Sequence, residues 1–161
     1  MQLVFTGSGS IDEGKSAGLA RISAKMMNEG TLKRGAVGFA DALDARAIQL
    51  STNVGNESLV IELGTLKEEF DTGLSLMAEL LKEPNLTKET LEKVKTRALS
   101  DIARKEADFD SAASDEHNAL LLERPVRATP KICTTEQSAA LMLRTIINFL
   151  QKHRVWSNPR I

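Results

Sequence analysis

Eight residues near the start of the chain have the types and spacing of a phosphate-binding loop. The segment Gly9–Ser16 satisfies the pattern G-x-x-x-x-G-K-[ST] and lies between a predicted strand and a predicted helix. Such a loop works because its backbone N–H groups and its lysine point at a polyanion. Asp12 and Glu13 would place two negative charges in that cradle. Two interpretations stay open, a nucleotide-binding loop and a solvated loop leading into a helix, and the charges favour the second.

The elements that would have to position this loop are not those of a nucleotide-binding fold. A βαβ winding with a magnesium-binding aspartate should follow, but the only paired strands indicated are two runs joined by the hairpin residues Asn53–Asn56. The predicted strands are Gln2–Thr6, Ala47–Thr52 and Glu57–Leu63. The predicted helices are Ser16–Glu29, Val37–Asp44, Leu66–Lys82, Thr87–Asn118 with a break near Ala107–Asp110, and Gln137–His153.

This order of elements predicts an α+β fold. Adjacent antiparallel strands with helices grouped between them are typical of a two-layer sandwich, with a mainly antiparallel sheet and helices packed on one face. A chain of 161 residues has the length of one such domain, so we expect a single domain over residues 1–161.

Composition excludes several kinds of partner. With 21 Lys and Arg against 22 Asp and Glu, the formal net charge is −1, which offers no electrostatic footprint for nucleic acid or an anionic membrane. No apolar run approaches the roughly 20 residues of a membrane span, and residues 1–16 lack the pattern of an export signal. The single Cys133 excludes an internal disulfide. The default expectation is a cytoplasmic protein.

The histidines and the cysteine are isolated in the sequence. His117 and His153 have no second ligand at metal spacing, and Cys133 has no histidine nearby that would activate its thiol. We interpret the histidines as surface or packing residues and Cys133 as inert. Trp156, the one tryptophan, is expected to pack.

A longer pattern begins inside the phosphate-loop segment. Residues Gly14–Thr31 resemble the zinc-helix segment of the pitrilysin/insulinase family of inverted-zincin peptidases, with mitochondrial-processing-peptidase-like features. The resemblance continues through Phe39–Thr52 and Pro125–Asn158 and so covers nearly the whole chain. Family domains begin with another strand and continue past Asn158, so the resemblance implies an incomplete family domain: a fragment, a split subunit or a decayed copy.

The resemblance also implies that the zinc motif is absent. Active members carry H-x-x-E-H, in which two histidines bind zinc and the glutamate is the general base. The matching positions here are Arg21, Ala24 and Lys25. The third ligand of the family, a glutamate, matches Asp101, which is a vestigial ligand position. We expect no cofactor in this chain, and Asp101 to pair with Arg21 or Lys25 if the helices pack as in the family. The alternative is a solvated carboxylate.

The function implied is that of a non-catalytic peptidase-like subunit or fragment. Such a chain pairs with a catalytic pitrilysin-like zinc peptidase chain, or with itself, and helps to enclose or hold a peptide substrate. Substrate in the family adds to a sheet edge, and the matching edge residues are Ile48, Gln49, Leu50, Ser51 and Thr52. An ordinary hairpin strand explains these residues equally well.

Three alternatives stay open at the level of sequence. The first is an active metallopeptidase that takes zinc from another site or chain. The second is a nucleotide-binding protein that uses Gly9–Ser16. The third is an assembly module that buries its apolar helix faces against a partner without contacting substrate.

Overall fold

Three strands and five α-helices form the described part of the chain. The computed structural model describes residues 1–9, 18–110, 113, 117 and 143–154. The strands are β1 (Gln2–Thr6), β2 (Gln49–Val54) and β3 (Ser58–Gly64). The helices are α1 (Leu19–Met27), α2 (Gly35–Asp44), α3 (Phe70–Lys82), α4 (Lys88–Glu106) and α5 (Leu143–Arg154), and a 3-10 turn at Lys67–Glu69 precedes α3.

The strands form one antiparallel sheet in the order β1-β3-β2. Side chains alternate between the two faces of a strand, and only one face of this sheet is apolar and buried. That face carries Leu3, Phe5, Thr52, Leu59, Ile61 and Leu63. All five described helices contribute to the same core, with Phe39 from α2, and Ile48 before β2 adds to it. The predicted α+β fold, with helices on one face of an antiparallel sheet, is confirmed.

Helix α1 is the central helix of this layer, in contact with β2, α4 and α5. Its apolar residues recur at helical spacing, and seven of its nine residues are buried. Burying a side chain such as Ile22 or Met26 stabilises the fold by about 1.5–3 kcal/mol. The helix begins after Gly18, whose carbonyl accepts the first helical hydrogen bond from the Ile22 N–H at 2.9 Å. Most of the surface of α1 is therefore buried against other elements.

Several predicted boundaries shift, and one residue changes its role. The strand predicted over Ala47–Thr52 starts two residues later than expected. Ala47 has a left-handed backbone (φ 51°), and β2 begins at Gln49. Ile48 therefore lies outside the edge strand, is only 3% exposed, and donates its N–H to the Leu43 carbonyl at 3.0 Å. Asn53, expected in the hairpin turn, is part of β2.

The helices follow the predicted order with shifted limits: α1 and α3 are shorter than predicted, and α2 begins two residues earlier. Helix α4 ends at Glu106, which agrees with the break expected near Ala107–Asp110. Residues 16–17 of the first predicted helix and 137–142 of the last lie outside the described residues. Within the described part, no helix combines the length and apolar character needed to cross a membrane.

Candidate functional site

The three positions that match the family's zinc motif lie together on α1. Arg21, Ala24 and Lys25 are three and four residues apart, and this spacing puts them on one side of a helix. Arg21 is exposed, and the Lys25 side chain is 34% exposed. Ala24 is only 4% exposed. A proton acceptor is thus missing at the position between the two cations.

Asp101 on α4 meets this face of α1. The Lys25 ammonium donates a hydrogen bond to Asp101 Oδ2 at 2.7 Å, which completes an ion pair between residues 76 positions apart. Arg104 Nη2 donates to the other carboxylate oxygen, Oδ1, at 3.1 Å. The pairing expected of Asp101 is therefore present, and Lys25 is the partner.

The surrounding cations change the acidity of Asp101. The hydrogen bond from Lys25, followed by the charge of Lys25, lowers the pKa of the Asp101 carboxyl below its ordinary value. Partial burial acts in the opposite direction, while the charges of Arg104 and Arg21 lower the pKa further. The carboxylate is therefore ionised at neutral pH, and Lys25 and Asp101 form a pair of full charges.

An open depression lies beside this ion pair, between α1 and α4. It encloses about 370 Å³, open solvent included. Its lining consists of Gly18, Arg21, Ile22, Lys25, Ala98, Asp101 and Ile102. Two cations and one carboxylate line it, so its charge is positive. This is the opposite of what a cation site requires.

The residues at these positions do not fit a zinc ion. Zinc is held by neutral imidazole, thiolate and carboxylate groups, typically three or four together. The guanidinium of Arg21 and the ammonium of Lys25 are hydrogen-bond donors with no lone pair to offer a metal. Asp101 is the one carboxylate in the lining, and it already accepts hydrogen bonds from Lys25 and Arg104. A divalent cation here would also be repelled by the two cationic side chains.

A second set of charges fixes α4 against α1 one turn further on. Glu29, directly after α1, accepts a hydrogen bond from Lys93 Nζ at 2.7 Å and another from Arg97 Nη1. Lys25 pairs with Asp101 while Glu29 pairs with residues earlier in α4, so the two helices run antiparallel. The Glu29 side chain is only 12% exposed, far less than Asp101 at 48%.

The hydrogen-bonding directions of β2 follow from the sheet register. The Gly55 N–H donates to the Ser58 carbonyl at 2.9 Å, so these residues form a hydrogen-bonded pair at the end of the ladder. Hydrogen-bonded and non-bonded pairs alternate along an antiparallel ladder. The residues of β2 that bond to β3 are therefore Gln49, Ser51 and Asn53. Leu50, Thr52 and Val54 direct their N–H and C=O groups to the outer edge.

The side chain of Asn28 occupies the middle of that edge. Thr52 donates its N–H to Asn28 Oδ1 at 2.7 Å, and Asn28 Nδ2 donates to the Thr52 carbonyl at 2.9 Å. The Thr52 hydroxyl is buried and has no hydrogen-bond partner among the described residues. Asn28 was not among the residues predicted to be functional. Its position three residues after Lys25, on the same side of the helix, was the available signal.

The first glycine of the phosphate-loop pattern has a structural explanation. A Cβ atom on Gly9 would overlap the backbone of Asn56 and Glu57 in the β2–β3 turn, so the chain requires glycine for a close approach. β1, which leads into this loop, is antiparallel to β3. Residues 10–16 of the pattern lie outside the described residues, as do Cys133 and Trp156. His117 is exposed.

The α+β fold and the contact between α1 and α4 can be compared with those of known proteins. The sequence model of the insulinase family, peptidase family M16, matches residues 3–129. The chain belongs to that family. A protein of Helicobacter pylori named non-peptidase homolog YmxG is 45% identical over 113 residues, which are 70% of this chain and 26% of that protein.

Solved structures share the fold at low sequence identity. A structure described as a peptidase M16 inactive domain from Pseudomonas fluorescens superimposes with a TM-score of 0.82 at 19% identity, over 92% of this chain and 36% of that one. A protease from Helicobacter pylori gives a TM-score of 0.80 at 14% identity, over 95% and 38%. The chain therefore spans about a quarter of the sequence relative and little more than a third of each structure.

Proposed function

We propose that this chain is a non-catalytic peptidase-like subunit or fragment that pairs with a catalytic zinc peptidase chain and helps to enclose or hold peptide substrate. The observation that carries the proposal is the ion pair between Lys25 and Asp101 at 2.7 Å. By the family resemblance, both residues occupy positions that bind zinc in active members. An ammonium–carboxylate pair then joins α1 to α4 where a metal joins the two helices in those proteins.

The chemistry of the α1 face supports a loss of catalysis. Peptide hydrolysis in the family needs a zinc-bound water and a carboxylate that accepts its proton. Ala24 cannot accept a proton, and Arg21 and Lys25 repel a divalent cation. The names of two of the similar proteins, a non-peptidase homolog and an inactive domain, agree with this proposal, while a third is named a protease.

The proposed pairing takes its model from relatives in which a domain of this fold is one part of a longer protein. Each of the similar proteins is at least two and a half times as long as the part this chain covers. The partner that we propose is a catalytic chain of the same family or a second copy of this one. The two arrangements differ in mass, so light scattering of the purified complex distinguishes them.

Peptide holding is assigned to the outer edge of β2. Strand addition uses backbone N–H and C=O groups, which Leu50, Thr52 and Val54 direct outward. Ile48 does not belong to this edge, so the proposed peptide-binding strand is Gln49–Val54. The side chains there leave sequence specificity low, because the backbone supplies most of the affinity.

Metal content tests the loss of the zinc site. The protein is purified without chelator and dialysed, and its zinc is measured by mass spectrometry. We expect less than about a tenth of an equivalent in the natural chain. The quadruple variant Arg21→His, Ala24→Glu, Lys25→His, Asp101→Glu is expected to gain close to one equivalent, while Arg21→His alone is not. About one equivalent of zinc in the natural chain would overturn the proposal.

A further inference from the structure

We propose that Asn28 is a gate on the outer edge of β2. A peptide strand adds to this edge only after the Asn28 carboxamide has left Thr52. The inference rests on the proposed peptide-holding function and names the residue that regulates it. It follows from one contact, in which a side-chain amide takes both backbone groups of an edge residue.

The contact lies at the place where an added strand needs its hydrogen bonds. An antiparallel strand bonds to every second residue of the edge it joins. On β2 these residues are Leu50, Thr52 and Val54, and Thr52 is the central one. A peptide that spans the edge must therefore bond to Thr52, whose N–H and C=O are both taken. Without the bonds to Thr52, only Leu50 and Val54 remain. They lie four positions apart and cannot support a continuous ladder.

Asn28 is well suited to compete with a peptide. Its carboxamide offers one donor and one acceptor in a plane, which are the groups that a peptide unit would present. The distances to Thr52, 2.7 and 2.9 Å, are those of good hydrogen bonds. A side chain and an incoming strand therefore satisfy the same two groups, and only one of them can do so at a time.

The gate can open without unfolding the helix. Asn28 is an exposed residue just beyond α1, so its released amide can be solvated. Its backbone N–H donates to the Ala24 carbonyl at 3.1 Å, and that bond does not depend on the side chain. The Thr52 hydroxyl gives Asn28 no further anchor, since it has no partner among the described residues. Opening breaks the two hydrogen bonds that the Asn28 side chain makes within the described part of the chain.

Amide hydrogen exchange measures the gate directly. The full chain is compared with Asn28→Ala, with Asn28→Ser, whose shorter side chain cannot span both groups of Thr52, and with Asn148→Ala as a control. Asn148 is an exposed asparagine on α5, outside the proposed peptide-binding strand. We expect the Thr52 amide to exchange at least about tenfold faster in both Asn28 variants and unchanged in Asn148→Ala. An unchanged Thr52 amide would overturn the gate.

Binding of an extended peptide then measures what the gate controls. The probe is a fluorescein-labelled octapeptide of alternating valine and serine, and the readout is fluorescence anisotropy. We expect Kd to fall about tenfold in Asn28→Ala and Asn28→Ser relative to the natural chain and Asn148→Ala. Equal affinities in all four proteins would overturn the gate and leave peptide holding intact. If none of the four proteins binds the peptide, both the gate and the proposed peptide holding are overturned. The zinc measurement then remains as the independent test of lost catalysis.

Discussion

Two parts of α1 are attached to the protein in different ways. Directly after the helix, Asn28 bonds to β2, Glu29 pairs with two cations of α4, and the Asn85 N–H donates to the Gly30 carbonyl at 2.9 Å. Thr31 follows and donates to Glu79 at 2.6 Å. On the helix face that carries the motif positions, Lys25 in the last turn makes a half-exposed pair with Asp101, beside an open depression.

The difference separates the residues that hold the fold from those at the motif positions. Apolar burial and the contacts directly after the helix keep α1 in place, whereas the charged side chains of Arg21, Lys25 and Asp101 border solvent. Exposed ion pairs contribute little to stability, so replacing a metal site there by charged side chains need not unfold the domain. The chemistry of the motif face can therefore change while the fold is kept. The following predictions test that contrast, beginning with the contacts directly after the helix.

The largest effect is expected from Gly30→Ala. Gly30 has φ 86°, and a Cβ there would lie 2.6 Å from the Gly35 carbonyl oxygen and 3.0 Å from the Phe39 Cβ. Backbone strain and overlap together should lower the free energy of unfolding by about 2–4 kcal/mol. Urea denaturation measures this. In the control Gly38→Ala, the new Cβ has one neighbour at 3.8 Å, so stability should stay equal or rise. Similar losses in both variants would contradict the proposed role of the Gly30 backbone.

Glu29→Gln should have the next largest effect. The substitution keeps the shape of a side chain that is 12% exposed but removes the charge that Lys93 and Arg97 share. We expect a loss of about 1–2 kcal/mol in the free energy of unfolding. Glu92→Gln is the matched control on α4, because Glu92 is 73% exposed and its contact with Lys95 is 3.6 Å long. If Glu92→Gln lost as much free energy of unfolding as Glu29→Gln, the burial of Glu29 would not explain its contribution to stability.

Sequence patterns predicted the fold well because the fold depends on burial. Alternation in β1 and β3 and helical spacing in α1 and α3 report which side chains face the core, and those elements are present in the predicted order. The start of β2 was missed because Ala47 adopts a left-handed backbone, which alanine rarely does and no propensity predicts. Boundaries of this kind are set by tertiary contacts such as the bond between Ile48 and Leu43.

The site was predictable only in part, for a related reason. The pairing of Lys25 with Asp101 could be expected because the family resemblance related two positions that are far apart in sequence. The bond between Asn28 and Thr52 could not be expected from either residue. It depends on which groups of β2 point outward, and a shift of one residue in register reverses that direction. A family resemblance shows which positions correspond to functional ones. The register of a strand and the direction of its backbone groups can be read only from a structure.

The stability of the protein should respond weakly to loss of the ion pair on the motif face of α1. A double-mutant cycle with Lys25→Met and Asp101→Asn isolates the interaction between the two side chains. We expect a coupling energy of about 0.2–1 kcal/mol, because the side chains are 34% and 48% exposed. Urea denaturation of the four proteins gives the value. A coupling energy above about 2 kcal/mol would mean that this ion pair stabilises the fold as strongly as the contacts of Asn28–Thr31 do.

The smallest effect is the dependence of that pair on pH. The pKa of Asp101 is lowered in the folded protein by Lys25, so the carboxylate stabilises the fold above the pKa of an unfolded aspartate, about 3.9. That contribution is lost as the pH falls through the lower folded-state value. The natural chain should therefore exceed Asp101→Asn in free energy of unfolding by a similar amount between about pH 5 and 8, and the difference should disappear in stronger acid. In a Lys25→Met background the same comparison should give a smaller difference at neutral pH. A difference that grows on acidification would mean that another group, and not the pairing of Asp101 with Lys25, sets the effect.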